Sequence, residues 1–276
     1  MTELKSQGEP TVLVHRHDRM MTIVLNRPKV LNSLNLEMIR LIDKVLDEAE
    51  ADKRCQFMLF CGAGERGFCA GGDIKALAQA VQEKTTPSAE QILKEEYHLC
   101  LKLHRFAKPL IVLADGITMG AGLGLAAAAD LVVATERTRM AMPETRIGFF
   151  PDVGATGWMF SKCPEGYPEY LGLTGYEMVG AEAVRVGFAS HLLSLERLPE
   201  LLTALEGYSG NLFQSRSQGA KMLRAEIDHF FDKNIPMNPD MDQWVATYFA
   251  GESSMVKIMD SLRQCTIQTQ LCDGNP

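Results

Sequence analysis

Apolar and polar positions along the chain fall into two regimes. From Thr11 to about Ala134, short β-prone runs alternate with stretches of helical period, and from Leu198 onward nearly every apolar residue follows helical spacing. Thr11–Asn26 predicts a hairpin, with Val12–Val14 and Met21–Leu25 as strands around the polar turn His15–Arg19. His15 and His17 sit in that turn, where a solvated surface fits them better than metal ligation. Arg27 and Pro28 end the second strand. Asn35 then caps a helix whose apolar face is Leu36, Ile39, Ile42, Val45, Leu46 and Ala49. Gln56–Cys61 predicts a short strand before the turn Gly62–Gly64. Phe68–Asp73 opens a helix running to about Gln82, Thr85–Ser88 breaks it, and a third helix spans Ala89 to about Phe106. Leu110–Ala114 and Leu131–Ala134 predict buried strands on either side of a small-residue segment, Gly116–Ala126. Ala181–Val186 predicts a short helix and Ala189–Leu193 a last short strand. Leu198–Leu205, Leu212–Phe231, Met241–Phe249 and Ser253–Leu262 follow as helices, with Asn234–Pro239 as a linker. The expectation is an α/β layered core over residues 11–195 and a helical C-terminal region over residues 196–276.

Composition narrows the partners. Lys and Arg number 28 against 35 Asp and Glu, a net charge of −7 with no basic stripe, which disfavours nucleic acid and anionic membrane. No apolar run approaches the roughly 20 residues of a spanning helix. The first ten residues lack the pattern of a signal or transit peptide. Seven cysteines, at 55, 61, 69, 100, 163, 265 and 272, are odd in number and form no C-x-x-C metal pair. They read as reduced thiols, and the expected compartment is the cytoplasm.

Candidate chemistry concentrates in Met142–Asp152. Glu144 and Asp152 lie there among apolar residues, two prolines and a glycine, surroundings that penalise a charged carboxylate unless partners or function offset the cost. Acid, base or nucleophile work is one reading; the other is that Asp152 caps the helix after Pro151. Gly122–Ala127 spells GxGxxA, yet Asp115–Ala121 intervenes between strand and first glycine, and Glu136 comes too early for a ribose-binding acid. A dinucleotide site is rejected. Small residues here, and in Cys69–Asp73, can bring helix-entry amides close to a ligand. Two such turns could converge on one oxygen as an oxyanion hole, although from spacing alone two ordinary glycine-rich helix entries are the favoured reading.

Arg27–Leu34, Gly67–Lys75 and Asp115–Gly122 resemble the signature blocks of the crotonase (enoyl-CoA hydratase/isomerase) superfamily. Glu95–Tyr97, Gly116–Gly120 and Met142–Gly154 resemble its 3-hydroxyisobutyryl-CoA hydrolase branch. The resemblance runs in order from about residue 12 to 195. It implies a ββα spiral core with a helical C-terminal region, an acyl-CoA substrate of which coenzyme A is part, no separate cofactor and no metal. It also implies an oxyanion hole from the backbone amides of Ala70 and Ala121, the latter standing where the family usually has glycine. Lys29, Val30, Leu31, Ala70, Gly71, Asp73 and Ile74 fall where the family contacts coenzyme A.

Hydratases of the superfamily use two glutamates. By the resemblance, the first falls on Gly124, which has no acid or base to offer, and the second on Glu144. The hydrolase branch keeps Glu144 with Asp152 and places Glu96 near the substrate. The expected activity is hydrolysis of a short β-hydroxyacyl-CoA such as 3-hydroxyisobutyryl-CoA, a valine-catabolism step, with Glu144 and Asp152 catalytic and Glu96, Ala121, Glu144 and Asp152 around the substrate. A hydratase or isomerase using Glu144 alone, and a non-catalytic acyl-CoA binder, stay open. Crotonases commonly assemble as trimers and the hydrolase branch is less uniform, so the resemblance leaves a homo-oligomer, trimer or dimer, as the expectation.

Overall fold

A computed structural model describes residues 9–83, 86–211, 215–252 and 254–263. The first ordered unit is the antiparallel pair β1 (Val12–Arg16) and β2 (Met20–Leu25) followed by α1 (Leu36–Ala51). Asn35 caps α1, its side chain accepting from Met38 N at 2.9 Å. The buried face is Met38, Ile39, Ile42, Val45, Leu46 and Ala49, so Met38 takes the place expected of Leu36.

Three turns of a spiral come next. β3 (Phe57–Gly62) leads into β4 (Gly67–Cys69) and the helices α2 (Ile74–Gln82) and α3 (Thr86–Arg105). β5 (Leu110–Ala114) leads into β6 (Ile117–Met119) and α4 (Ala121–Ala127). β7 (Leu131–Ala134) leads into β8 (Arg139–Ala141), then α5 (Ala155–Lys162), α6 (Tyr167–Thr174), the short strand β9 (Met178–Val179) and α7 (Ala181–Arg185), before β10 (His191–Leu192). The first strand of each turn joins a six-stranded sheet in the order β1-β2-β3-β5-β7-β10, and the second joins a four-stranded sheet in the order β4-β6-β8-β9. Pairing is parallel from β2 onward in the large sheet and antiparallel only at the β1 and β9 edges.

Both faces of the large sheet are covered, which is why β5 and β7 read as unbroken apolar runs. Met58, Phe60, Leu110 and Val112 pack with α1, α3 and α4. Phe57, Leu59, Ile111 and Leu113 point the other way, against Leu201 and Leu205 of α8 (Leu198–Glu206) and Leu223 and Ile227 of α9 (Arg216–Ile227). Arg216 anchors α9 to this framework. It donates to the carbonyls of Leu103, His104, Phe106 and Ala128 and pairs with Asp130, satisfying the open C-terminal ends of α3 and α4. Two more helices, α10 (Pro239–Phe249) and α11 (Met255–Arg263), complete the C-terminal region; Val245, Phe249 and Ile258 bury into the first core. Pro239 opens α10 rather than closing the linker. The expected starts of two helices, at Leu212 and Ser253, and Thr85, Cys265 and Cys272 lie outside the described residues.

Candidate active site

The spiral places three helix or turn entries around one cavity of about 710 Å³. Ala70–Ile74, at the β4–α2 junction, forms one wall. Gly120 and Ala121, at the β6–α4 junction, form a second; Pro143–Phe149 with Asp152 forms a third, and Ile92, Leu93 and Glu96 of α3 close the back. The apolar lip is made by Ile74, Leu77 and Val81 of α2 facing Ile147 and Phe149.

Glycines are required where these walls touch. Gly120 has φ +51°, and a Cβ there would lie 2.9 Å from Glu144 Oε1. On Gly72 a Cβ would come within 3.2 Å of Glu96 Oε2. A side chain at either position would meet a carboxylate of the cavity.

Of the two amides expected to form an oxyanion hole, one begins a helix and the other is bonded within the protein. Ala121 is the first residue of α4, so its N–H has no partner within the helix, and the residue lines the cavity. The Ala70 N–H, in contrast, donates to Leu31 O at 3.0 Å and is not available to a ligand, although Ala70 lines the cavity. A parallel bridge between Leu34 and Gly72 shapes this turn: Leu34 N donates to Gly71 O at 2.8 Å and Asp73 N to Leu34 O at 2.9 Å, so the Gly72 amide between them turns away from the bridge. Among the described residues no backbone carbonyl accepts from Gly72 N.

The coenzyme A positions divide in the same way. Ala70, Gly71, Asp73 and Ile74 line the cavity, whereas Lys29, Val30 and Leu31 lie beside it on a 3-10 turn, Pro28–Val30. That turn is stapled to the β3–β4 loop by buried Asn32, whose Nδ2 donates to Ala63 O at 3.0 Å and Gly67 O at 2.9 Å. The Asp73 carboxylate caps α2, accepting from Ala76 N at 3.2 Å, and pairs with Arg27 at 3.0 Å. It holds the loop in shape.

Glu96, Glu144 and Asp152 meet in the cavity. Glu96 is 4% and Glu144 8% exposed. Burial, reinforced by the charges of Asp152 and Glu144, pushes Glu96 up to about 8. Burial, with repulsion from Asp152, pushes Glu144 up to about 7 against the pull of its own backbone amide. Asp152 is also raised by burial, but a 2.7 Å hydrogen bond from the Tyr97 hydroxyl to Oδ2 opposes the rise. The buried Glu144 Oε2 has no hydrogen-bond partner. Asp152 does not cap α5: Gly154, at φ +79°, takes that place, and the carboxylate turns to Tyr97 instead. Sequence spacing did not reveal the Tyr97 contact, or the part played by Gly72. The only hints were the position of Tyr97 directly after Glu96 and the double glycine before Asp73.

Residues 20–273 match the family model described as Enoyl-CoA hydratase/isomerase. The chain is 38% identical over 265 residues to a mitochondrial 3-hydroxyisobutyryl-CoA hydrolase from Rattus norvegicus, covering 96% of this chain and 66% of that one. With the Danio rerio protein of the same name it shares 40% identity over 198 residues, 72% of this chain and 51% of the relative. Among solved structures, a carnitinyl-CoA dehydratase from Mycobacterium thermoresistibile superposes with a TM-score of 0.82 at 30% identity, covering 96% of this chain and 74% of that one. An enoyl-CoA hydratase from Rhodobacter sphaeroides 2.4.1 gives 0.75 at 28% identity, over 92% and 74% of the two chains. Fold and cavity together define a ββα spiral protein of the enoyl-CoA hydratase/isomerase type. The chain belongs to the enoyl-CoA hydratase/isomerase, or crotonase, family. It spans about two thirds of the length of the rat hydrolase.

Proposed function

We propose that this protein hydrolyses a short β-hydroxyacyl-CoA thioester, with 3-hydroxyisobutyryl-CoA as the first substrate to test. The observation that carries the reading is Glu144: a buried carboxylate with one oxygen unpartnered, set in the same cavity as the amides of Gly72 and Ala121, which have no backbone partner among the described residues. Buried polar atoms without partners call for an explanation, and a substrate or water supplies one here.

In this reading the thioester carbonyl oxygen accepts from the Gly72 and Ala121 amides, which stabilise the negative charge it gains on attack. Glu144 takes a proton from water as the water oxygen bonds to the carbonyl carbon. When the carbon–sulfur bond breaks, the same proton passes from Glu144 to the departing sulfur, leaving a carboxylic acid and a thiol. An acidity near 7 suits a group that must both accept and donate near neutral pH. Asp152, anchored by Tyr97, orients the water. Glu96, protonated at neutral pH, hydrogen-bonds the substrate hydroxyl. The apolar lip of Ile74, Leu77 and Phe149 covers the thiol-bearing arm, and coenzyme A enters only as part of the substrate. Release of 3-hydroxyisobutyrate would place the reaction in valine breakdown.

Hydration of a double bond finds less support, because the position that would hold its first glutamate is Gly124, packed against Val153. The test is a panel of 3-hydroxyisobutyryl-CoA, 3-hydroxypropionyl-CoA and crotonyl-CoA. The expected result is thiol release from the first two without loss of enoyl absorbance from the third. Enoyl loss without thiol release would make the protein a hydratase, and neither signal would leave a binder. For location we keep the cytoplasm as the proposal, to which the free thiols of Cys55, Cys61, Cys69, Cys100 and Cys163 lend support. Cell fractionation tests it, and recovery with mitochondria, the compartment in the relatives' names, would overturn it.

A further inference from the structure

Three carboxylates share the cavity, and the structure treats them unequally. Glu96 and Glu144 Oε2 receive no side-chain hydrogen bond from the described residues, whereas Asp152 receives one from Tyr97 at 2.7 Å. The donor comes from α3, a twenty-residue helix. Asp152, in contrast, sits on a segment without regular structure between Gly148 (φ +76°) and Gly154 (φ +79°), and its neighbour Val153 also lies at positive φ (+45°). The segment's other ties involve main chain: Phe149 N to Glu144 O, Ala155 N to Asp152 O, and the Trp158 indole to Val153 O. Besides Asp152's own main-chain amide, the Tyr97 hydroxyl is the group that holds the Asp152 side chain in its direction.

The same bond lies in the wall between two spaces. Asp152 lines the main cavity and also a second cleft of about 370 Å³, whose other residues include Tyr97, Leu101, His104, Phe150 and Thr156. We propose that Tyr97 is a positioning residue that fixes the Asp152 carboxylate between these two spaces and selects it as the member of the carboxylate trio that keeps its charge. This rests on the hydrolase reading only for its kinetic consequence; the arrangement of charge follows from the geometry alone.

The groups facing Asp152 are Glu96, Tyr97 and Cys100 of α3 and Glu144 of the 3-10 turn Glu144–Ile147, with His104 further along the second cleft. None of them supplies a positive charge at neutral pH next to Asp152, since burial together with the nearby cations Lys162 and Arg216 lowers the basicity of His104. The neutral phenol, ahead of Asp152's own main-chain amide, is thus the chief group that favours the anion. Burial and the Asp152 charge both raise the Tyr97 phenol, so it remains a donor. With the hydroxyl gone, Asp152 holds its proton to higher pH, and Glu144, relieved of part of a neighbouring charge, ionises at lower pH.

Tyr97→Phe tests this, because Tyr97 is partly exposed and the change removes a single oxygen. Carboxyl ¹³C titration by NMR, with Asp152→Asn used for assignment, is expected to show the Asp152 midpoint rising by about one pH unit in Tyr97→Phe and the Glu144 midpoint falling. Turnover of 3-hydroxyisobutyryl-CoA is expected to fall about tenfold with KM within about twofold, and the low-pH limb of kcat to move down with Glu144. Unchanged carboxyl titrations in Tyr97→Phe would overturn the proposal. If the wild-type protein released no coenzyme A, the hydrolase reading would fail, and the NMR comparison would still decide the role of Tyr97.

Discussion

A Cβ placed on Gly124 would lie 2.6 Å from Val153 Cβ and 3.2 Å from Cys100 Sγ. Gly124 lies on the buried helix α4, and Val153 is fully packed beside it in a left-handed backbone conformation. The space that a hydratase-type glutamate would need is filled. Gly124→Ala should destabilise the protein by about 1–3 kcal/mol through overpacking, read from urea denaturation. Gly124→Glu should yield no hydration of crotonyl-CoA, either because the chain fails to fold or because Val153 blocks the side chain. Restored hydratase activity in that variant would contradict the packing argument.

Glu144→Gln and Asp152→Asn probe the two carboxylates proposed to act on the thioester. Each is expected to lower coenzyme A release by on the order of 10²–10⁴-fold, the range general acid–base groups contribute. Binding of free coenzyme A should change little, because the adjoining Ala70–Ile74 wall is untouched. Isothermal titration separates the two effects; a loss of binding that matches the loss of rate would make the carboxylates structural. Single turnover in H₂¹⁸O distinguishes the shuttle from direct attack by Glu144. In the shuttle no label enters the Glu144 side chain, and label found there would mean a covalent intermediate.

Buried acids also set the pH dependence of stability. Glu96 is raised to about 8 and Glu144 to about 7, against an ordinary value of 4.5 in the unfolded chain. Between pH 4.5 and about 8 the folded protein holds protons that the unfolded chain has released. Stability therefore falls as pH rises through this window and levels off above it. Glu96→Gln should be more stable than wild type at pH 8 by on the order of 1 kcal/mol or more, with the difference shrinking toward pH 5. Thermal denaturation across the range checks this, and a parallel pair of curves would refute it.

Much of the scaffold could be read in the chain. β5 and β7 carry unbroken apolar runs, and the structure ends them at the residues expected, Leu110–Ala114 and Leu131–Ala134. Asn35 announces α1 because its short side chain satisfies a free amide. The second strand of each spiral turn could not be read. β4, β6 and β8 have three residues each, too few for an alternation to register, and they exist because they pair with one another across long stretches of sequence. The site was legible to the same degree. Glu96, Ala121, Glu144 and Asp152 converge on one cavity. Ala70 was the expected donor, but its amide is spent on Leu31 O, a contact between segments that spacing does not encode.

Arg216 ties the C-terminal helices to the spiral through four backbone carbonyls and Asp130. Both side chains of the pair are about one-fifth exposed or less. Arg216→Ala should cost about 3 kcal/mol, the lower end for breaking a buried ion pair, since it also strands carbonyls at the ends of α3 and α4. Chemical denaturation of the full chain measures it. A change under about 0.5 kcal/mol would show that water replaces the guanidinium without loss.

The most direct measurement is stopped-flow thiol release from 3-hydroxyisobutyryl-CoA by the wild-type protein and by Glu144→Gln. The prediction is steady release by the wild type, with a rate that rises through about pH 7 as Glu144 ionises, and near-complete loss in the variant. Equal release by the two proteins would contradict the assignment of Glu144 to the chemistry.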